Sequence, residues 1–461
     1  MNVSLNEVAE PNPARFAAIA DFALGDLSHV PEDALSHAAM LLIDTLGVAV
    51  GAMELEVGQI VRDFAVDFHG AGSTANAAPM LFDGRVVSIP GAAWALATQI
   101  DNLDGHDGYN PTKGHIGCAV VPALFAFAER HPDLSGRDAL RAMVMAYELA
   151  TRAGLSLHAT VTDYHTSGAW NALGVAALGC RLEEASAEHL RQALGIAEYH
   201  GPRSQMMREI DNPTMLHDGS GMGALVGSSA ALLALRGFTG APAVTVEAET
   251  VAPYWKDLNS KWTLSLNYIK PYPICRWAHA ALDALRKIML ENDGVTPDTV
   301  ASIEVRTFDE ASRLFAGVPD TSTQAQYSLH FALAVMLKHG VVGPLHVAQE
   351  GLQDPEVAAI IPRISAVSAD KHNKRFPDGR WSDIEVVLRD GTRLESGDIH
   401  ATGGPEAWRT EQEVEEKFHL FCERALSKPR IDSIWTMRHR LLEKDCSFSE
   451  LSALVREAED K

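Results

Sequence analysis

The stretch PEDALSHAAMLLIDTLGVAVGAM, residues 31–53, decides the fold class. It puts proline at a first-turn position with two acids behind it, then repeats Leu, Ala, Val and Met at helical spacing. Apolar residues cover most of its circumference, which suits a helix buried on several sides. The same texture returns at 92–105, 119–131, 136–157, 169–182, 188–201 and 223–238. Many of these runs are rich in Ala and Gly, which lets helices pack closely. The reading is a bundle, an all-α helical domain over residues 1–268.

Past Lys270 the texture changes. TVASIEVRTF (299–308) and RWSDIEVVLRDGTRLESGD (380–398) alternate β-branched and polar residues, and Asp390-Gly391 is a hairpin signal. Helical patterns interrupt them at 279–292, 325–340 and 355–365, so residues 269–404 read as a smaller α+β lid domain. Residues 405–461 read as C-terminal helices returning to the helical domain, the first opened by Thr410 with Glu413 three positions on. The expected fold is mainly α.

Composition narrows the function. The chain has 461 residues, 46% hydrophobic and 22% charged, and a formal net charge of −22. Such a field repels phosphate backbones and anionic lipid, and no concentrated basic patch opposes it, so nucleic-acid and membrane partners are not expected. A small anionic substrate needs a locally built site. The five cysteines are scattered without a C-x-x-C pair, as in a reducing compartment. The start, MNVSLNEVAEPNPARF, lacks the basic and apolar regions of a secretory signal. No segment reaches the roughly 18 uncharged apolar residues of a membrane span. A cytoplasmic location is expected.

Three segments concentrate chemistry. IDNLDGHDGYNPTKGHIG (100–117) gathers Asp101, Asp104, His106, Tyr109, Lys113 and His115 among glycines that permit close backbone approach. It reads either as a solvated turn-rich connection or as a site whose imidazoles and carboxyls are tuned by burial and by one another. A metal is conceivable on Asp104 with His106, or on Asp101 with His115, but no metal-ligand motif accompanies them. The second segment, 198–227, sets Arg203, Arg208 and His217 beside Asp218-Gly219-Ser220-Gly221-Met222-Gly223 ahead of an apolar helix. Free N–H groups there offer a local anion site, or the glycines serve helix packing. It is no dinucleotide fingerprint, because the spacing is wrong and no strand precedes it. The third, NYIKPYPICRWAHAALDA (267–284), puts Lys270 in a Pro-constrained stretch where partial burial is expected to lower its pKa. Arg276 and His279 there fit a helix start equally well, and nothing supports Cys275 as a nucleophile. His165 precedes a helix alone.

Together these segments resemble the MmgE/PrpD family, which includes 2-methylcitrate dehydratase, cis-aconitate decarboxylase and iminodisuccinate epimerase. The main carriers are Asp101, Asp104 and His115 followed by Val121-Pro122-Ala123-Leu124, and the run Lys270, Tyr272, Pro273, Cys275, Arg276, His279. Weaker ones are His165, Leu216-His217-x-Gly219, Ala325 with Ser328, and Lys417-Phe418. The resemblance implies a homodimer, a site between domains, no organic cofactor, and proton abstraction beside a carboxylate of a small di- or tricarboxylic acid; from the residues themselves, no metal is expected. It makes His115, Lys270, Asp101, Asp104 and His106 the catalytic candidates, with His115 and Lys270 as the acid/base pair and an aspartate orienting a histidine. Tyr109, Lys113, His165, Arg203, His217, Gly219 and Arg276 are the substrate-binding candidates. The long loop ending Lys113-Gly114-His115 is most similar to the iminodisuccinate epimerase branch; dehydratase, decarboxylase and a non-catalytic binding scaffold are the alternatives. Phe331 and Met215 stand where several relatives carry Tyr and Lys.

Overall fold

The computed structural model describes residues 12–459, so the stretch 1–11 read above lies outside the described residues. Helix Glu32–Gly51 runs through the core and packs against Gly136–Thr160 on one side and against Glu411–Cys422 and Lys428–Arg440 on another. It is long and apolar enough to cross a membrane by length and composition, which the reading above did not allow, but 78% of that window is buried inside the protein. Its one mid-helix charge, Asp44, is neutralised internally by Lys417.

Helices Ile89–Asp101, Gly117–Ala128, Gly136–Thr160, Gly168–Leu182 and Ser220–Ala234 form the rest of the bundle around the site. Glycine sets their spacing: a Cβ on Gly174 would lie 2.6 Å from the Ala146 carbonyl oxygen, and one on Gly227 2.5 Å from that of Ala172. The helices therefore meet backbone to backbone, and the loops at their ends are drawn together.

The C-terminal region carries the main sheet. Val300–Thr307 pairs in parallel with Ile364–Ser368 and antiparallel with Trp381–Leu388, whose other edge takes Arg393–Glu395. Gly391, at φ +91°, makes the predicted Asp-Gly turn. Two expectations are corrected. The pattern at 355–365 is helical only to Ile360, because Pro362 lies in a single 3-10 turn and the chain enters a strand at Ile364. The helical half also contains a short hairpin, Ala77–Pro79 with Val86–Ser88. The capping box at Thr410 and Glu413 is present.

Lys417 ties the C-terminal helix to the site. From helix Glu411–Cys422 its Nζ donates to both Asp44 carboxylate oxygens, at 2.7 and 2.8 Å, and to the Gly105 carbonyl at 2.9 Å.

Candidate active site

Helix Ile89–Asp101 ends where the polar loop begins, and the loop folds back so that Tyr109 N–H donates to the Gly114 carbonyl. A left-handed residue makes each reversal, Asp104 at φ +55° and Lys113 at φ +56°. The loop is buried, not the solvated turn that its composition also allowed.

His115 is the centre. Its Nδ1 lies 2.6 Å from the Asp107 carbonyl oxygen, which can only accept, so the ring proton sits on Nδ1 and Nε2 carries a bare lone pair. Nε2 is 3.6 Å from an Asp218 carboxylate oxygen. Asp218 is fixed by the Ser167 N–H and hydroxyl, at 3.2 and 2.7 Å, while the same hydroxyl receives the His115 N–H at 3.0 Å. Burial pushes His115 down to about 4, helped by the Lys270 charge and opposed by Asp218 and the Asp107 bond. The imidazole is neutral at pH 7. His106 stands edge-on to it, ring centroids 4.4 Å apart, fully buried, with neither nitrogen partnered among the described residues. Burial, then the His115 and Lys270 charges, hold it well below the ordinary histidine value.

Lys270 is fully buried and donates to the Asp104 carboxylate and, at 2.9 Å, to its carbonyl oxygen. The expected lowering of its pKa is overturned. Burial pulls it down most strongly, but the Asp104 carboxylate, Tyr268 and Cys275 together outweigh this, so the amine stays above the ordinary lysine value. Asp104 itself is lifted to about 6 by burial against the pull of Lys270, and at neutral pH the two form an ion pair. Asp101 does not orient His115. Its carboxylate accepts the Ser220 N–H and hydroxyl, at 3.0 and 3.2 Å, and lies 3.5 Å from His106 Nε2. The start of helix Ser220–Ala234, with Gly219 left-handed before it, is thus already filled by the chain's own carboxyl group.

Other candidates scatter. Arg276 belongs to the cluster: its guanidinium lies 4.1 Å over the Tyr268 ring and is anchored to the Ala401 and Thr402 carbonyls. Arg203 does not, being exposed, with Glu198 3.9 Å away. Tyr109 is buried, and burial, then Glu148, raises its hydroxyl above the ordinary tyrosine value. Lys113 stacks over the Tyr164 ring at 4.3 Å, and His165 rests against the Ser204 carbonyl at 3.3 Å. His217 is buried, with Tyr327 beside it. Sequence reasoning missed Asp218 as a member of the site, together with Ser167, Tyr268, Arg380, Glu209 and Tyr327. Arg380, buried just before a strand, reaches the Asn110 carbonyl at 3.4 Å. Its local sequence resembles any solvated strand edge.

This arrangement joins two halves of the chain, and both are recognisable. Residues 17–253 match the MmgE/PrpD N-terminal domain and residues 272–441 the MmgE/PrpD C-terminal domain. The chain belongs to the MmgE/PrpD family. No curated protein matches it. MmgE/PrpD members are generally enzymes, dehydratases and lyases among them. Here Lys270 lies in the connector between the two matched regions, and its bond to Asp104 closes that connector onto the helical half.

Asp104, His106 and His115 also offer ligand atoms within 4.8 Å of one another. The Lys270 ammonium already holds that carboxylate and opposes a second cation beside it. Turnover is expected to survive exhaustive chelation; loss restored by one divalent ion would contradict this.

One glycine governs the geometry. A Cβ on Gly108 would come within 2.4 Å of the Tyr268 hydroxyl oxygen and 2.8 Å of His115 Nδ1. Gly108→Ala is expected to lower kcat about 100-fold, the usual effect of displacing a catalytic group by about 1 Å. Steady-state kinetics beside a melting curve would check it.

Proposed function

We propose that this protein abstracts a proton α to a carboxylate of a small di- or tricarboxylic acid, without cofactor, and that its reaction is epimerisation of an iminodisuccinate-type substrate. The observation that carries the reading is His115: a neutral imidazole whose bare Nε2 shares a buried cluster with the Lys270 ammonium. A base must be unprotonated, and the enediolate formed as it acts needs positive charge nearby. His115 removes the proton. Lys270, held cationic by Asp104, stabilises the charge that develops on the substrate carboxylate, and Arg276 supplies a second buried cation. The preference for epimerisation rests on the similarity of the Lys113-Gly114-His115 loop. A homodimer is proposed with it; Ile60, Phe64 and Phe68, spaced by four on helix Glu56–Phe68 and 49, 45 and 70% exposed, give it an apolar face.

Incubation in D2O with iminodisuccinate, malate, 2-methylcitrate and cis-aconitate, followed by NMR, tests the reaction. Deuterium at the α-carbon with inverted configuration, and no alkene or CO2, supports the epimerase. Alkene or CO2 formation assigns a lyase instead, and no exchange with any of them sinks the reading.

The pH profile should follow the charges. His115 acts when neutral, above about 4, and Asp104 must ionise, above about 6, to hold Lys270. Lys270 loses its proton only above the ordinary lysine value of 10.5. Activity is expected to be half-maximal near pH 6, where Asp104 is half ionised, and to reach a plateau above about pH 7 that persists past pH 9. A narrow bell centred near pH 7 would contradict this assignment.

A further inference from the structure

Removal of a proton by His115 leaves open which group returns one. Lys270 is ill suited, because two of its three N–H bonds are committed to Asp104 and its pKa is raised. A separate chain of buried titratable groups borders the same cluster. Glu209, from helix Met206–Asp211, is joined by hydrogen bond to the Tyr327 hydroxyl, and that oxygen lies 3.5 Å from His217 Nδ1. All three side chains are buried, and His217 precedes Asp218, whose other carboxylate contact is His115. His217 holds a left-handed backbone, φ +44°, unusual for a residue other than glycine, with its ring 5.3 Å from that of Tyr327. Its Nε2 and the second Glu209 oxygen have no partner among the described residues. A buried polar atom without a partner calls for an explanation, and beside a cluster of titratable groups a catalytic role is one of them.

We propose that Glu209, Tyr327 and His217 are the proton-returning arm of the site, ending at His217 Nε2. The inference rests on the proton-abstraction reading above. The Nε2–H bond breaks as the electron pair of the enediolate takes that proton and forms the new C–H bond. His217 Nδ1 takes the Tyr327 hydroxyl proton, and the phenolic oxygen takes the Glu209 carboxyl proton, so the negative charge ends on Glu209. The starting states agree. Burial, then Asp218, holds Glu209 well above the usual carboxyl range, so its proton is in place; burial pushes His217 down to about 3, so the ring is neutral and its Nδ1 can accept. His217 adjoins Asp218, whose carboxylate lies 3.6 Å from His115 Nε2, which sets its ring beside the same buried cluster. His217 is then catalytic, whereas Tyr327 and Glu209 act through it.

The test separates proton removal from proton return. Glu209→Gln and Tyr327→Phe would be compared with the unmodified protein in D2O, on whichever of the four carboxylates it turns over. Both deuterium exchange at the α-carbon and product formation would be followed. Product formation is expected to fall about 100-fold, within the range of general acid catalysis, while exchange through His115 falls less than about threefold. The exchange-to-product ratio should therefore rise by more than tenfold in each variant. A role in packing alone would lower both rates together and leave the ratio unchanged, which overturns the proposal. Melting curves report folding, and the nearly isosteric Glu209→Gln decides the matter if Tyr327→Phe does not fold. Exchange by the unmodified protein with an unchanged ratio in the variants overturns the relay alone; no exchange by the unmodified protein overturns both readings.

Discussion

Replacing His115 by asparagine is expected to lower α-proton exchange by about 10²- to 10⁴-fold, the range attributable to a positioned general base. The loss should fall on kcat rather than KM, since the base acts on the substrate only as the transition state forms. Asparagine retains polarity and an amide N–H for the Asp107 carbonyl, which now receives the ring proton at 2.6 Å, but has no lone pair where Nε2 stands. The fold should persist, because Ser167 holds this backbone through the His115 N–H, a contact indifferent to the side chain. Removing the Ser167 hydroxyl is a milder version of the same test: Ser167→Ala deletes its bonds to Asp218 and to the His115 N–H while the Ser167 N–H still holds Asp218, and a smaller loss, about tenfold, is expected. NMR in D2O, with circular dichroism to confirm folding, measures both. Exchange by His115→Asn within tenfold of the unmodified protein would remove His115 from the mechanism.

How far the sequence reveals this site depends on how local its members are. The loop from Asp101 to His115 is legible because seven titratable side chains and three glycines crowd between two apolar helices. Lys270 is legible as a lysine in a proline-constrained stretch, but its charge state is not, since the partner that raises its pKa is Asp104, 166 positions away. Periodicity reports burial and says nothing of which carboxylate meets a buried amine. Arg203 misleads for the converse reason: it lies in the same polar segment as the Gly-rich helix start, yet the chain turns it to solvent. Asp218 lies in that same run but shows its function only once Ser167 and His115 are folded against it. Arg380 and Tyr327 enter from the C-terminal region with no cluster around them. In the fold, helices with broad apolar coverage were predictable, whereas the parallel strand at Ile364 follows a helical pattern and is set by its pairing with Val300–Thr307.

The largest effect on stability is expected at Lys417. Its three hydrogen bonds, to both Asp44 oxygens and the Gly105 carbonyl, are made in the core, so Lys417→Met leaves a buried carboxylate with no cation. Breaking a buried pair from one side costs about 3–5 kcal/mol. Burial already raises Asp44 despite the pull of Lys417, and losing that pull raises it further. A carboxyl whose folded pKa exceeds its unfolded value withdraws stability as pH rises from the unfolded value toward the folded one. The deficit of Lys417→Met should therefore be smallest at acidic pH, where Asp44 is protonated in both states, and grow toward neutrality. Asp44→Leu combined with Lys417→Met removes both charges, and most of the lost stability should return, since apolar replacement of a buried pair is often neutral. Activity should not return with it. Gly105 adjoins Asp104, so without Lys417 the loop that holds Lys270 loses an anchor whatever the net stability. Urea unfolding at several pH values, with exchange assays on the single and double variants, would separate these effects, and a double variant restored in both respects would show that Lys417 only balances Asp44.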